Sequence, residues 1–199
     1  MTDPRIEDLR AAIRRLPRRS GIIFRHYHLP CPERRVLFRQ VAKLAKACGH
    51  KLVLADHPMI ARQWGADGAH SRSGHRSRGI RTVGVHNRRE AVGAKRIGAD
   101  LILVSPVYAT NSHPGAKAIG ARGIGMIAGT QRRQTIALGR MTQKRAKLLC
   151  ALNLYGWAAI DAFRTLTQYR YRQPGCRAGY RRPRDQAGHD PMRGTSGPP

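Results

Sequence analysis

Acidic residues are scarce in this chain. Asp and Glu number 11 against 38 Lys and Arg among 199 residues, leaving a formal net charge of +27. That excludes an acidic, disordered regulator, and a hydrophobic share of 41% argues against wholesale disorder. Aromatic residues make up only 6%, and the charge comes without a zinc finger, an RNA-recognition sequence or a basic strand interleaved with aromatics. Cys31, Cys48, Cys150 and Cys176 are scattered with no CxxC pair. Neither structural zinc nor a disulfide scaffold is indicated, and four free thiols are expected. No apolar run approaches the roughly 18 residues that a membrane-crossing helix needs. Met1-Thr2-Asp3-Pro4-Arg5 lacks the apolar centre of a signal peptide. A cytoplasmic protein with no membrane partner is expected.

What is present is a spread of positive charge. The stretch from Arg164 to Pro199 holds eight Arg and two Asp, so most of the excess lies elsewhere. Pairs such as Arg14-Arg15, Arg18-Arg19, Arg34-Arg35 and Arg88-Arg89 read as solvated helix faces. A basic chain can bind phosphate backbones by releasing counterions, so nucleic acid is a candidate partner, though not the favoured one. From Gln168 onward the sequence is rich in Arg, Gly, Pro and Gln and poor in aliphatics. It reads as a disordered tail, 168–199, after a domain over 1–167.

Within that domain short apolar runs alternate with amphipathic stretches. Strands are expected at Gly21–Phe24, Lys51–Ala55, Ala66–His70, Ile80–Val85, Asp100–Val104, Gln134–Leu138 and Gly156–Ile160. Helices are expected over Ile6–Leu16, Glu33–Cys48, Pro58–Trp64, Asn87–Ile97, Ile119–Ile127, Thr142–Cys150 and Ala162–Thr167. Asn87, with Glu90 three residues on, has the form of an N-cap. The unbroken apolar character of Leu101–Val104 suits a strand covered on both faces, as in a parallel sheet. This βαβα order implies an α/β fold, and short uniform units favour a parallel (β/α)8 TIM barrel over an open sheet. Only seven strands are countable. The missing one falls before Ile6, where Met1 to Pro4 remains, so the first strand is expected to be truncated or the barrel imperfectly closed.

In such a barrel function gathers at the C-terminal ends of the strands. Those positions are Arg25 and Tyr27, Asp56, His70 to His75, Gly84 to His86, Ser105 to His113, Gly139 to Met141, and Ala158 to Asp161. Several of these segments resemble a known family. Ala55-Asp56, Gly65-Ala66-Asp67-Gly68-Ala69-His70, Val85-His86-Asn87 with Glu90-Ala91, and Gly98-Ala99-Asp100 occur in the order found in thiamine phosphate synthases and their thiazole tautomerase relatives. Ser105-Pro106-Val107-Tyr108-Ala109-Thr110 and Ile136-Ala137-Leu138-Gly139 extend the likeness, which covers roughly Gly21 to Phe163.

The resemblance implies a parallel barrel that joins a thiazole phosphate to a pyrimidine diphosphate, releasing pyrophosphate with Mg2+. It implies Arg25 and His86 as catalytic residues and Asp56 as the metal ligand. Thr110, His113, Gly139 and Arg140 then bind substrate or phosphate. The chain also departs from the family pattern. The Gln-x-Arg-x-Lys of the family falls on Ile23, Arg25 and Tyr27, and its second magnesium carboxylate on His75. A Ser becomes Gly84, a Lys becomes His113, a Gly-Gly turn becomes Gly139-Arg140, and a small hydroxyl residue of the last phosphate loop becomes Asp161. The tautomerase branch needs neither diphosphate nor metal, only a proton shuttle at His86. A barrel that has lost catalysis but binds phosphate ligands or a protein partner is a further alternative, and a homo-oligomer is compatible with the sequence.

Simpler roles stand beside these. Asp56 can cap the helix after it, Gly139 can be only a turn, and His70, His75 and His113 can be polar loop residues. Three histidines without a Cys or carboxylate at ligand spacing do not make a zinc site. His26 and His28 share one face of a strand end, opposite Arg25 and Tyr27, and are expected at the surface. Arg140 can close the phosphate site or replace lost cations.

Overall fold

A computed structural model describes residues 1–75, 78–109 and 117–160. The expected helix at 162–167 and the expected tail at 168–199 lie outside the described residues. Seven strands, β1 (Gly21–Phe24), β2 (Lys51–Leu54), β3 (Gly68–His70), β4 (Ile80–Val85), β5 (Leu101–Val104), β6 (Thr135–Ala137) and β7 (Gly156–Trp157), form one sheet in chain order. Every neighbouring pair is parallel. Six α-helices accompany them: α1 (Leu9–Arg15), α2 (Cys31–Ala47), α3 (Pro58–Trp64), α4 (Arg88–Arg96), α5 (Gly120–Ala128) and α6 (Gln143–Leu148).

The strands are buried on both faces, and alternate residues sort into separate cores. Ile22 and Phe24 of β1 pack outward with Leu52 and Leu54 of β2 against Phe38, Val41 and Ala45 of α2. Val83 and Val85 of β4, with Ile102 and Val104 of β5, pack outward against Ala91 and Ala94 of α4 and Ile124 of α5. Ile23, Val53 and Leu103 point the other way and meet one another inside the curled sheet. Fully burying a side chain of this size stabilises by about 1.5–3 kcal/mol, so this alternation fixes the register of every strand.

Strand edges β1 and β7 are not paired with each other. The chain's first residues lie between them. The N–H of Thr2 donates to Ile23 O at 2.8 Å, and the Met1 amino group donates to Ala159 O at 3.0 Å. The N–H of Arg25 in turn donates to Thr2 Oγ1 at 2.9 Å. Hydrogen bonds from Met1 and Thr2 thus link the β1 edge of the seven-stranded curled sheet to the segment just after β7.

Local signals behave as their chemistry requires. Asn87 accepts the N–H of Glu90 at 2.9 Å and caps α4, and Thr142 accepts the N–H of Arg145 at 3.2 Å and caps α6. Gly68, inside the GADGAH segment, faces the Ile80 backbone so closely that a Cβ would run into the Ile80 carbonyl. Cys31, Cys48 and Cys150 are free thiols, and Cys176 lies outside the described residues. No helix among the described residues is long and apolar enough to cross a membrane.

Two expectations fail. Arg34 is not on a solvated face: it lies in the buried stripe of α2 with Phe38, Val41 and Ala45. His26 is buried, although its neighbour His28 is exposed as expected. A left-handed φ of 45° at His26 turns the chain just after β1. The ring then lies 5.0 Å from Phe24 and 5.5 Å from His28, with Nε2 lacking a partner. Burial, and then the charge of His28, lowers the pKa of His26 and favours the neutral ring.

Candidate active site

The C-terminal ends of the strands carry the polar residues, in two groups. The first is organised by Arg34. Its Nε donates to Arg25 O at 2.8 Å, Nη1 to Asp56 Oδ2 at 2.6 Å, and Nη2 to Ala55 O at 3.0 Å. One buried guanidinium thereby fastens the ends of β1 and β2 and orients the Asp56 carboxylate. A rigid fork of five N–H donors is suited to that task in a way lysine is not. The same guanidinium lies over Tyr27, 5.1 Å from the ring centre, while Arg25 approaches that ring at 5.8 Å. The second oxygen of Asp56 accepts the N–H of His57 at 2.7 Å. Asp56 therefore sits at the entrance to α3, but the side-chain cap of that helix is His57, whose Nδ1 accepts the N–H of Met59 at 3.3 Å.

The second group surrounds the loop after β5. His86 Nδ1 lies 2.8 Å from Ser105 O. A carbonyl can only accept, so Nδ1 carries the proton and Nε2 the ring's lone pair. The N–H of His86 donates to Glu90 Oε2 at 3.0 Å, and Arg72 Nη2 donates to the same oxygen at 2.6 Å and to Gly84 O at 3.0 Å. Glu90 thus positions His86 and ties the β3 loop to the end of β4. Gly139, with φ of 109°, passes so close to this loop that a Cβ would stand 2.9 Å from Pro106 Cα and Val107 N. The N–H of Val107 donates to Leu138 O at 2.8 Å, drawing the Gly139-Arg140 turn and the Ser105 loop together. Arg140 also has a left-handed φ, 43°, and its carbonyl accepts Arg145 Nη1 at 2.6 Å.

His70 stands between the two groups. It ends β3, its Nδ1 lies 2.8 Å from Thr82 Oγ1, and its Nε2 faces the open side of Gly84. Burial pushes its pKa down to about 4, and the charges of Arg25, the amino terminus and Arg72 push the same way. His70 is therefore a neutral imidazole near pH 7, set on a strand end and not in a loop. Sequence reasoning noticed His70 but gave it no role, and it missed Arg34 and the bridging use of Glu90. The signal for Arg34 was its spacing: it lies four residues before Phe38 and seven before Val41, on the apolar stripe of its helix. Thr110, His113 and Asp161 lie outside the described residues.

A cavity of about 330 Å3 opens elsewhere, at the N-terminal ends of the strands. Among the described residues it is lined by Ile6, Ile13, Leu16, Ile80, Ile136 and Trp157 with others, and by no carboxylate or imidazole.

A model of the family described as thiamine monophosphate synthase matches residues 3–163. The chain belongs to this family. Among its curated relatives, the thiamine-phosphate synthase of Geobacillus kaustophilus is 29% identical over 143 residues, covering 65% of this chain and 64% of that protein. The thiamine-phosphate synthase of Lactococcus lactis subsp. cremoris is 26% identical over 142 residues, with the same coverage, 65% and 64%. The chain thus spans less than two thirds of the length of these curated relatives. Among solved structures, a thiamine phosphate pyrophosphorylase from Pyrococcus furiosus superposes with a TM-score of 0.65 at 19% identity, covering 80% of this chain and 82% of that one. A thiamine phosphate pyrophosphorylase from Bacteroides thetaiotaomicron gives 0.55 at 14% identity, covering 77% and 75%. At these identities the likeness is one of fold: a curled parallel sheet with helices.

Magnesium, which the family resemblance implies, does not fit the donor set at these strand ends. Mg2+ is a hard cation that binds through carboxylates and water. Asp56 already serves Arg34 and the His57 N–H. At the second family position His75 offers nitrogen, its ring 5.3 Å from that of His57. Because His57 Nδ1 accepts the Met59 N–H, Nε2 carries the hydrogen and faces Ser73 Oγ at 3.2 Å. Among the described residues no three His, Cys, Asp or Glu side chains are grouped closely enough to hold a metal ion.

Proposed function

We propose that the chain is a thiamine phosphate synthase-like enzyme of thiamine biosynthesis, which couples a thiazole phosphate to a pyrimidine diphosphate and releases pyrophosphate. The observation that supports this reading is that Arg25, Asp56, His86 and Gly139, the residues matching the family's motifs, all follow the C-terminal ends of strands of one parallel sheet. The fold is read as an eight-stranded barrel with the Met1–Asp3 segment in the place of the closing strand. In the reaction the thiazole nitrogen forms a bond to the pyrimidine's methylene carbon as the carbon–oxygen bond to diphosphate breaks, and the electron pair leaves on pyrophosphate. Arg25 faces the leaving group, and His86 presents Nε2 to the bound substrate. The turn at Gly139 and Arg140, with Thr110 and His113, holds the thiazole phosphate. Stabilising the departing charge is the main demand, which the permanent charge of the Arg25 guanidinium meets.

A thiazole tautomerase is the second reading, favoured by the poor fit to Mg2+. Moving one proton between ring positions needs a single base, and the His86 ring, oriented by its contact with Ser105 O, is placed to act as one. A coupled assay with thiazole phosphate and pyrimidine diphosphate decides between them. Thiamine phosphate is the expected product, with turnover falling in His86→Ala as the substrate loses its contact with that ring. No thiamine phosphate from folded protein, with interconversion of thiazole carboxylate phosphate tautomers instead, would replace the first reading by the second.

A further inference from the structure

The cavity of about 330 Å3 at the N-terminal ends of the strands is bordered by none of Arg25, Asp56, His86 and Gly139. Its walls take the first and third residues of β1, β2, β4 and β5, ending inward at Ile23, Val53, Thr82 and Leu103. Alternate residues of a strand share a face, so these walls are the inside of the curled sheet, and two residues of rise make them about 7 Å deep. Ile6, Ile13 and Leu16 add an apolar wall from α1 and the residues flanking it. Thr82 Oγ1 is already committed, 2.8 Å from His70 Nδ1. Arg18 and Arg19 also line the cavity, and both are exposed, which puts two cations at its opening. Among the described residues neither guanidinium enters a salt bridge or a hydrogen bond. Lys51, by contrast, is matched by Asp67 at 2.7 Å. The Met1 amino group donates to Ala159 O, and burial lowers its pKa to about 5, so near pH 7 it brings no charge.

We infer that this cavity is a second binding site, which takes a single-chain aliphatic anion with its tail inside the curled sheet and its headgroup at Arg18 and Arg19. The volume suits a tail of about ten carbons, at roughly 30 Å3 for each methylene-sized group. The walls bury such a tail without leaving a polar group stranded. Two unpaired cations, with no carboxylate lining the site, select an anion over an alcohol or an amine. Because both arginines are exposed, they select more than they hold, and burial of the tail supplies most of the affinity.

The test is calorimetric titration of the full chain with decanoate, decanol and decyltrimethylammonium, each below its micelle-forming concentration. A salt concentration of about 0.15 M screens general charge beyond roughly 8 Å. One saturable site per chain is expected for decanoate, with decanol weaker by about threefold or more and the cation weaker still. Arg18→Gln combined with Arg19→Gln brings decanoate down to the level of decanol and leaves decanol unchanged. Both side chains are exposed, so this variant keeps the fold. Val53→Phe fills the inner end and abolishes binding of both ligands. Leu16→Trp blocks the cavity from the half-buried end of α1, which covers the case where Val53→Phe fails to fold. Trp157 lines the cavity, so decanoate changes its emission, and Trp157→Phe loses that signal while still binding. Absence of saturable binding overturns the inference, as does decanol or decyltrimethylammonium binding as tightly as decanoate. Multi-site binding that Val53→Phe and Leu16→Trp leave unchanged is adsorption to the basic surface and overturns it too.

Discussion

Arg34→Ala tests the organisation of the site more sharply than any substitution at its surface. The guanidinium is buried, and its removal takes a donor from Arg25 O, another from Ala55 O, and the counter-charge from Asp56. Hydrogen bonds to charged groups contribute about 1.5–3 kcal/mol each, though not additively. Removing one partner of a fully buried pair costs about 3–5 kcal/mol. The side chain of Asp56 is 31% exposed, so water recovers part of that loss. We therefore expect the lower end, about 3 kcal/mol. At about 2–4 °C per kcal/mol for a domain of this size, the midpoint of thermal unfolding falls by about 6–12 °C. The control is Arg35→Ala, one residue on and exposed, which shifts stability by no more than about 0.5 kcal/mol. In the Asp56→Ala background, Arg34→Ala costs less than it does alone, because the stranded carboxylate is gone. Equal melting of Arg34→Ala and Arg35→Ala, measured by circular dichroism, would refute the account of a buried fastener between β1 and β2.

Two further outcomes follow from the same geometry. His70 refuses a proton in the folded protein until pH falls to about 4, whereas its ordinary value is 6.5. Between those values the unfolded chain binds more protons, so the stability contribution is complete above pH 6.5 and drains away as pH falls toward 4. At about 1.36 kcal/mol per unit the effect is on the order of 3 kcal/mol. Urea midpoints at pH 7 and pH 5 should therefore lie closer together in His70→Gln than in the parent chain, and an unchanged gap would contradict the buried neutral imidazole. Gly68→Ala drives a methyl group into the Ile80 carbonyl and should break the pairing of β3 with β4. It is expected to cost several kcal/mol, as steric disruption of a core strand does. Soluble, fully stable Gly68→Ala protein would show that the strand spacing is wrong.

Much of the fold was legible in the order of residues. Apolar runs of four to six residues separated by amphipathic helices can bury both faces of each strand only in a parallel sheet. All seven expected strands are present, each within a few residues of its expected limits. The caps at Asn87 and Thr142 were legible because a capping bond spans only three residues. The family motifs gave away Arg25, Asp56, His86 and Gly139 one at a time, each at a strand end.

What they do together was decided by tertiary contact. Arg34 looked like half of a solvated arginine pair, since local sequence records charge but not the carboxylate and carbonyls that arrive from Arg25, Ala55 and Asp56. Asp56 could be read as a candidate metal ligand, but its pairing with an arginine 22 residues away could not be read from the sequence. His26 looked exposed because strand alternation sets the face of a residue, while its depth depends on the turn that follows. The tautomer of His86 rests on a carbonyl 19 residues further along, brought near by the pairing of β4 with β5. Periodicity and turn chemistry act over a few residues, so sequence alone could determine the elements and their parallel order. Charge pairing and burial act across the sheet, so only the assembled structure could determine which polar groups remain available to a ligand.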